Sequence, residues 1–253
     1  MRISAVVLTK NEEDKIGDCL KSLSWTDEIL VVDTGSSDKT LEIARKHKAK
    51  VYSVDGGSFN YWRNEGLRFS KGDWILYLDA DERITPLLRK EIESIINAKK
   101  EGKYTAYAIP RKNIILGREM KHGGWWPDYV KRLFKRKHLE KWEGKVHEEP
   151  VFEGKIGHLE NSMVHIKETD ISDMVAKTNR YSEIEAELLF KANHPKMSWW
   201  RFLRIMLGEL WYRLIIQRGF LDGAEGVIFS FYQSWSKFVT YAKLWELQID
   251  KTK

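Results

Sequence analysis

Four short apolar runs, each handing over to a helix-patterned segment, constrain this chain more than any other feature. "ISAVVLT" (3–9), "EILVVD" (28–33), "AKVYSV" (49–54) and "WILYLD" (74–79) read as strands. Helical patterns stand between and after them. "EEDKIGDCLKSL" spaces Ile16, Leu20 and Leu23 at helical intervals; "SSDKTLEIARKH" opens with Ser and Asp cap candidates. "SFNYWRNEGLRFS" follows, and "PLLRKEIESIINAKK" carries proline in its first turn. Strands alternating with helices predict an α/β fold with a doubly wound, mainly parallel sheet. Ligands bind such sheets beyond the carboxyl ends of the strands. Three of those ends, "TKNEE", "DTGSSD" and "DADER", are polar and fall in one crevice.

From about 104 to 167 the texture changes. "YTAYAIPRK", "YVKRLFKR", "KVHEEPVF" and "SMVHIKE" are short strand-like runs, expected as antiparallel additions around the crevice. From about 171 the pattern is helical: "ISDMVAKTNRYSEIEAELLFKAN", then a Trp-rich pair split by "RGFLDGAEG".

The 253 residues suffice for one large α/β domain with an appendage. A single cysteine, Cys19, allows no internal disulfide and fits a reducing compartment. The N-terminus starts at once with a strand pattern rather than a signal peptide. No uncharged apolar run approaches the roughly 20 residues that span a bilayer. The expected location is cytoplasmic, with a peripheral place on the inner face of the cell membrane as an option. Lys plus Arg is 43 against 37 acids, a net +6 that can serve phosphates or anionic lipid. The basic residues are scattered among acids, so the stripe that nucleic-acid binding requires is missing. Eleven tryptophans lie mostly around 125–142 and 199–245, where they can form sugar-stacking or interfacial surfaces.

Asp79, Asp81 and Glu82 crowd three carboxylates into four positions at the end of a buried run. A solvated turn explains an isolated D-x-D; a bound cation explains this one better, because of its neighbours. T-x-N-E-E follows the first strand, V-D-T-G-S-x-D the second and L-D-A-D-E the fourth, with "RNEG" before the last. This ordered set resembles the glycosyltransferases of family 2, which have the GT-A nucleotide-sugar-binding fold. "GGWWPDYVKRLFKR", "WEGKVHEEP" and the tail from "RGFLDGAEG" resemble the subgroup containing the lipopolysaccharide core β-1,4-glucosyltransferases.

The resemblance implies a GT-A, Rossmann-like mixed and mainly parallel sheet flanked by helices, with a C-terminal helical extension. Residues 1–103 would form the nucleotide-sugar-binding half, 104–170 the acceptor and metal-binding half, and 171–253 the extension. It implies an inverting, metal-dependent transfer of a hexose, glucose from UDP-glucose first among them, to a lipid-linked or lipopolysaccharide-core saccharide. UDP-sugar is expected ahead of GDP-sugar. A Mg²⁺ or Mn²⁺ would neutralise the nucleotide diphosphate leaving group as a Lewis acid. By resemblance, Asp81 ligates that ion, with His165 as a further ligand or a structural residue, and Asp79 reaches the ribose or the metal through water. Thr9, Asn11 and Glu12 belong to the first nucleoside-holding loop, Asp33 to the uracil or ribose, and Arg63 and Asn64 to the base. Arg63 on a solvated helix face is the alternative.

Inversion needs a general base for the acceptor hydroxyl. The E-D dipeptide of many family members is missing after the fourth strand. Two carboxylates qualify: Glu148 in "KVHEEP", with His147 to orient it, and Asp128 in "WWPDYVKRLF". Glu148 is favoured slightly. Trp125, Trp126 and Arg132 are candidates for acceptor stacking and phosphate contact, with core packing an equal reading for the tryptophans. Residues 198–217 are very apolar, and Arg201, Arg204 and Arg213 interrupt the apolar positions. Such a helix suits a membrane interface, packing, or a homo-oligomer through the C-terminal helices. Two other classes stand as alternatives: a sugar-1-phosphate nucleotidyltransferase-like enzyme, disfavoured by the acidic first loop, and a non-catalytic carbohydrate-binding protein, disfavoured by intact Asp33, Asp79 and Asp81.

Overall fold

The computed structural model describes residues 1–98, 102–144, 148–168 and 170–250. The chain divides into two compact units, Met1–Lys112 with Asp128–His165, and Asn113–Pro127 with Ile166–Lys253.

In the first unit, β1 (Ile3–Thr9), β2 (Glu28–Asp33), β3 (Lys50–Ser53) and β4 (Trp74–Asp79) run parallel in the order β3-β2-β1-β4. All seven residues of β1 are buried, as expected of a strand covered on both faces. Its alternation divides two cores. Ala5 and Val7, with Val31, Leu76 and Leu78, meet Leu20, Ala44 and Leu88 on one face. Val6 and Leu8, with Leu30, Val32 and Tyr77, meet the other core, against which Phe59 and Trp62 pack. The helices are α1 (Ile16–Ser22), α2 (Thr40–Lys46), α3 (Phe59–Phe69) and α4 (Pro86–Ile96), with the two-residue β5 (Glu82–Arg83) before α4. Thr85 caps α4, its side chain accepting from Leu88 N, and Pro86 occupies the first turn.

Two helices start later than the periodicity predicts. Glu12 O accepts from Lys15 N and Ile16 N, closing a turn before α1. Asp38 accepts from Thr40 N at 3.0 Å and from Glu13 N at 3.1 Å, so the residues before α2 bind the first loop instead of joining the helix.

The antiparallel additions are β6 (Ala106–Ile115), β7 (Arg118–Glu119), β8 (Asp128–Lys135), β9 (Leu139–Glu143), β10 (Glu149–Phe152), β11 (Ile156–His158) and β12 (Met163–Glu168). The sheet continues from β4 through β8, β6 and β12 to β5, while β9 and β10 form a separate hairpin. β11 joins in parallel, beside β6. This mixed, mainly parallel curled sheet flanked by helices is the GT-A architecture.

The second unit takes the end of β6 and β7, then α5 (Ile171–Lys191), α6 (Trp199–Trp211), a π-helical turn (Tyr212–Ile216), a 3-10 turn (Gly219–Asp222) and α7 (Gly223–Asp250). Met174, Thr178, Ser182 and Ala186 recur every four residues along α5, a narrow and mostly small face. Thr178 hydrogen-bonds Tyr232 and Ser236 on α7. Buried Asp222 accepts from the backbone N–H groups of Lys121 and His122 at 3.0 and 2.7 Å and pairs with His122 Nδ1 at 2.8 Å. Arg213 bonds Glu209 at 2.6 Å and the Gly123 carbonyl at 2.9 Å. Among the described residues no helix is long and apolar enough to cross a membrane.

Candidate active site

Sheet register brings the polar strand ends level. Thr9 stands opposite Asp33, and Leu8 opposite Asp79. β8 is antiparallel to β4, with Leu133 opposite Leu76, so the earlier residues of β8 pass the carboxyl end of β4. β12 pairs His165 with Glu82 and brings an imidazole to the same end.

The first two loops are pinned to each other. Asp33 is buried and accepts from Gly35 N and Ser36 N at 3.2 Å and from Ser36 Oγ at 2.5 Å. Gly35 has φ +97°, a left-handed conformation that glycine adopts without steric cost. Asn11 accepts from Ser37 N at 2.8 Å, and its own N–H donates to Ser36 Oγ at 2.9 Å. Glu12 N donates to Thr40 Oγ1 at 2.8 Å. The Thr9 hydroxyl is buried beside them without a hydrogen-bond partner.

Deeper in, seven side chains alternate in sign: Glu148, Arg63, Asp79, Arg132, Glu82, Arg111 and Asp128. Arg63 Nε bonds Glu148 Oε1 at 2.8 Å, and Arg63 Nη2 bonds Asp79 Oδ1 at 3.1 Å. Arg132 Nη2 bonds Asp79 Oδ2 and, at 2.8 Å, Glu82 Oε1. Arg111 reaches Glu82 at 3.3 Å and grips Asp128 Oδ2 through two nitrogens at 2.9 and 2.8 Å. The crowded acids of "LDADE" are thus largely compensated by arginines from three other elements. Their repulsion does not wait for a cation to relieve it.

Arg63 is buried, so the alternative of a solvated helix face is excluded; the Tyr77 hydroxyl holds its carbonyl at 3.0 Å, and the Trp142 ring lies 4.9 Å from the guanidinium. Asn64, expected at the base, uses both ends of its amide on the backbone of Trp142 at 2.8 and 3.0 Å. Arg132, expected at the acceptor, is buried among the acids instead. Trp125 and Trp126 belong to the second unit. Trp125 packs on Phe229, with Arg213 and Lys167 over its ring, which is its packing role; Trp126 is exposed. His147 lies outside the described residues.

Burial works against ionisation of Asp79, but the positive charges of Arg132 and Arg63 outweigh it and hold its carboxyl well below the usual range. For a carboxylate with a depressed folded-state pKa, the stabilisation is complete above the unfolded pKa of about 4 and is lost as pH falls through the folded value. The difference in unfolding free energy between the native protein and Asp79→Asn is therefore expected to be flat from pH 8 to 5. It should shrink below about pH 4, as measured by urea unfolding.

The family model described as glycosyl transferase family 2 matches residues 4–150, more than half of the chain. The chain belongs to glycosyltransferase family 2. A Rickettsia bellii protein called an uncharacterized glycosyltransferase is 31% identical to this enzyme, over 98% of this chain and 87% of that one. LpsC of Rhizobium meliloti, a lipopolysaccharide core biosynthesis glycosyltransferase, is 25% identical over 96% and 92%. The solved structure of S. aureus TarS 1-349 in complex with UDP is similar in fold, with a TM-score of 0.50 and 16% identity over 97% and 88%. Membership sets aside the nucleotidyltransferase alternative.

The glycosyltransferase has residues that fit a hard cation. Among the described residues Asp81 Oδ1 is buried without a hydrogen-bond partner, an arrangement that costs about 1–3 kcal/mol unless something binds it. His165 Nε2 lies 3.4 Å from Asp81 Oδ2. Burial opposes ionisation of Asp81, yet its hydrogen bond and charge interaction with His165 lower its pKa overall. Carboxylate with imidazole suits Mn²⁺, and Mg²⁺ sites complete themselves with water and phosphate oxygens. No cluster of three or more metal-binding side chains occurs among the described residues, so the remaining ligands would come from diphosphate and water. Arg63 Nη1 and Arg132 Nε are likewise buried and unpartnered among the described residues.

Glu82 and Arg111 had no assigned role. Glu82 is fully buried and accepts from Asp79 N at 3.0 Å while pairing with two arginines. The only sequence signal was its place next to D-x-D.

Proposed function

We propose that the enzyme is an inverting, metal-dependent hexosyltransferase using UDP-glucose, and that its acceptor is a lipid-linked or lipopolysaccharide-core saccharide. The observation that carries this reading is the unpartnered, buried Asp81 Oδ1 beside His165, at the strand end that also holds Asp79. Asp81 and His165 would hold Mg²⁺ or Mn²⁺, whose chemistry is to neutralise the departing diphosphate. Thr9, Asn11, Glu12 and Asp33 hold the nucleoside, with Asp79 at the ribose. Arg63 and Arg132 fix Asp79 in place, so that little reorganisation is needed when charge develops. Glu148 removes the proton from the acceptor hydroxyl, and Arg63 positions it. Asp128 is the second candidate for that role. Of the candidates for acceptor recognition, exposed Trp126 is assigned that role, while Trp125 and Arg132 are committed to packing and to the acids.

Residues 1–103 carry the donor, 104–170 the base and metal partner, and 171–253 the extension in this scheme. A uridine donor is consistent with the UDP in S. aureus TarS, and a core saccharide with the name of LpsC. Membrane-side action on a lipid-linked acceptor would place the enzyme at the inner face of the cell membrane.

Incubation with UDP-α-glucose, Mn²⁺ and lipid-linked core saccharide is expected to release UDP and give a β-linked product, read from the anomeric proton coupling. An α-linked product would contradict inversion, and turnover only with another nucleotide would contradict the donor.

A further inference from the structure

We propose that the outer face of α6 and its π-helical extension is a docking surface for an anionic lipid bilayer. The proposal deepens the reading of a lipid-linked acceptor and rests on it for its purpose, not for its evidence.

None of the 13 residues of α6 is buried. Its inner side is only half covered: Phe202 meets Phe238 at 5.7 Å between ring centroids, and the Met206 carbonyl accepts from Ser234 Oγ at 2.8 Å. Its outer side presents Trp200, Leu203, Leu207 and Trp211, which recur at three- and four-residue intervals. Trp200, Leu207 and Trp211 are each 60% exposed or more, and Trp199 reaches 74%. Ile215 and Ile216 continue the face through the π-helical turn. The face opens beside an apolar groove of about 470 Å³ shared through Leu207 and lined by Val175, Met206, Phe231 and Trp235. An apolar patch of this extent on one unit calls for a covering partner.

Charge selects the partner. From Lys196 to Arg218 there are five basic residues (Lys196, Arg201, Arg204, Arg213, Arg218) and one acid, Glu209. Arg213 already holds Glu209, so the stretch has a net +4, from five minus one, and no uncommitted acid. Lys196, Arg204 and Arg218 are exposed around the aromatic stripe. A two-fold dimer would set this stretch against itself, basic against basic, with no uncommitted acid of its own to complement it. Lipid phosphates supply that counter-charge along with an apolar layer beneath them. Tryptophan and arginine on an apolar helix lying in the interface plane fit that environment. At about 20 Å, from 1.5 Å per residue, α6 is too short to span it.

The test is flotation of the full chain with phosphatidylcholine vesicles, with and without 30 mol% phosphatidylglycerol, at low and high salt and without donor or acceptor. Binding to the anionic vesicles should exceed binding to neutral ones by about tenfold or more and weaken in salt, with about fivefold lost for each of Arg204→Ala and Arg218→Ala. Leu207→Glu/Trp211→Glu should lose binding more than tenfold while retaining its circular dichroism melt and UDP titration. Native protein that fails to bind anionic vesicles overturns the proposal. So does an apolar face that instead mediates dimerisation, seen as a dimer made monomeric by the same double substitution without any vesicle binding. Either result leaves UDP binding, and with it the proposed reaction, separately readable.

Discussion

Replacing Arg132 with methionine is expected to destabilise the enzyme by about 3–5 kcal/mol, because it strips from fully buried Glu82 the cation it shares with half-buried Asp79. Arg132 is 5% exposed and bonds both Asp79 and Glu82, and Glu82 is 0% exposed. Burial alone would lower the pKa of Arg132; the two acids reverse this and raise it. Without it, Glu82 keeps Arg111, at 3.3 Å, and the Asp79 N–H among the described residues. For a protein of this size the loss corresponds to a melting temperature lower by on the order of 10 °C. The double substitution Arg132→Met/Glu82→Gln should recover part of it by removing one orphaned charge. Arg132→Lys should fall between, since an ammonium keeps the charge but not the planar fork. A methionine variant that melts like the native protein would show that the alternating acid–arginine arrangement is not a stabilising unit.

The second large effect concerns the base. Glu148→Gln is expected to lower kcat by about 10²–10⁴-fold while UDP affinity changes little, and Asp128→Asn to lower it less than about tenfold. The difference is not read from hydrogen bonding, since each carboxylate has an oxygen engaged by arginine: Glu148 by Arg63 and Asp128 by Arg111. It rests on Arg63, which binds Glu148 and Asp79 with one guanidinium and so connects the proposed base to the donor side. If Asp128→Asn instead shows the larger loss, the base is Asp128.

The parallel half of the fold was legible because three of its four strands are apolar over most of their length. "ISAVVLT", "EILVVD" and "WILYLD" coincide with β1, β2 and β4, each sealed between two cores. Helix starts were less legible: Glu12 falls in a helical pattern but its carbonyl closes a turn before α1, whereas Asp38, a cap candidate, does accept from Thr40 N at the start of α2 and also holds Glu13 N. The site was legible in its acids and not in their partners. Asp79, Asp81 and Glu82 stand together in sequence, whereas Arg63, Arg111 and Arg132 come from α3, β6 and β8 and meet only through the sheet. Arg63 on a helix leaves a solvated face open as an alternative until β9 and its Trp142 ring are seen to cover it. Arg132 alternates with basic Lys131 along β8, and nothing in "YVKRLFKR" says which of the two faces the acids. Strand pairing decides that.

Calorimetric titration of UDP into the native protein and Asp81→Ala, with Mn²⁺ and with chelator, reads whether Asp81 holds a metal against the nucleotide diphosphate. Binding to the native protein that requires Mn²⁺ and weakens at least about tenfold in Asp81→Ala is the predicted result, the loss of one charged ligand from a metal-bridged diphosphate being worth more than 1.4 kcal/mol. UDP binding that is the same with chelator and unchanged in Asp81→Ala, or no UDP binding at all, would contradict it.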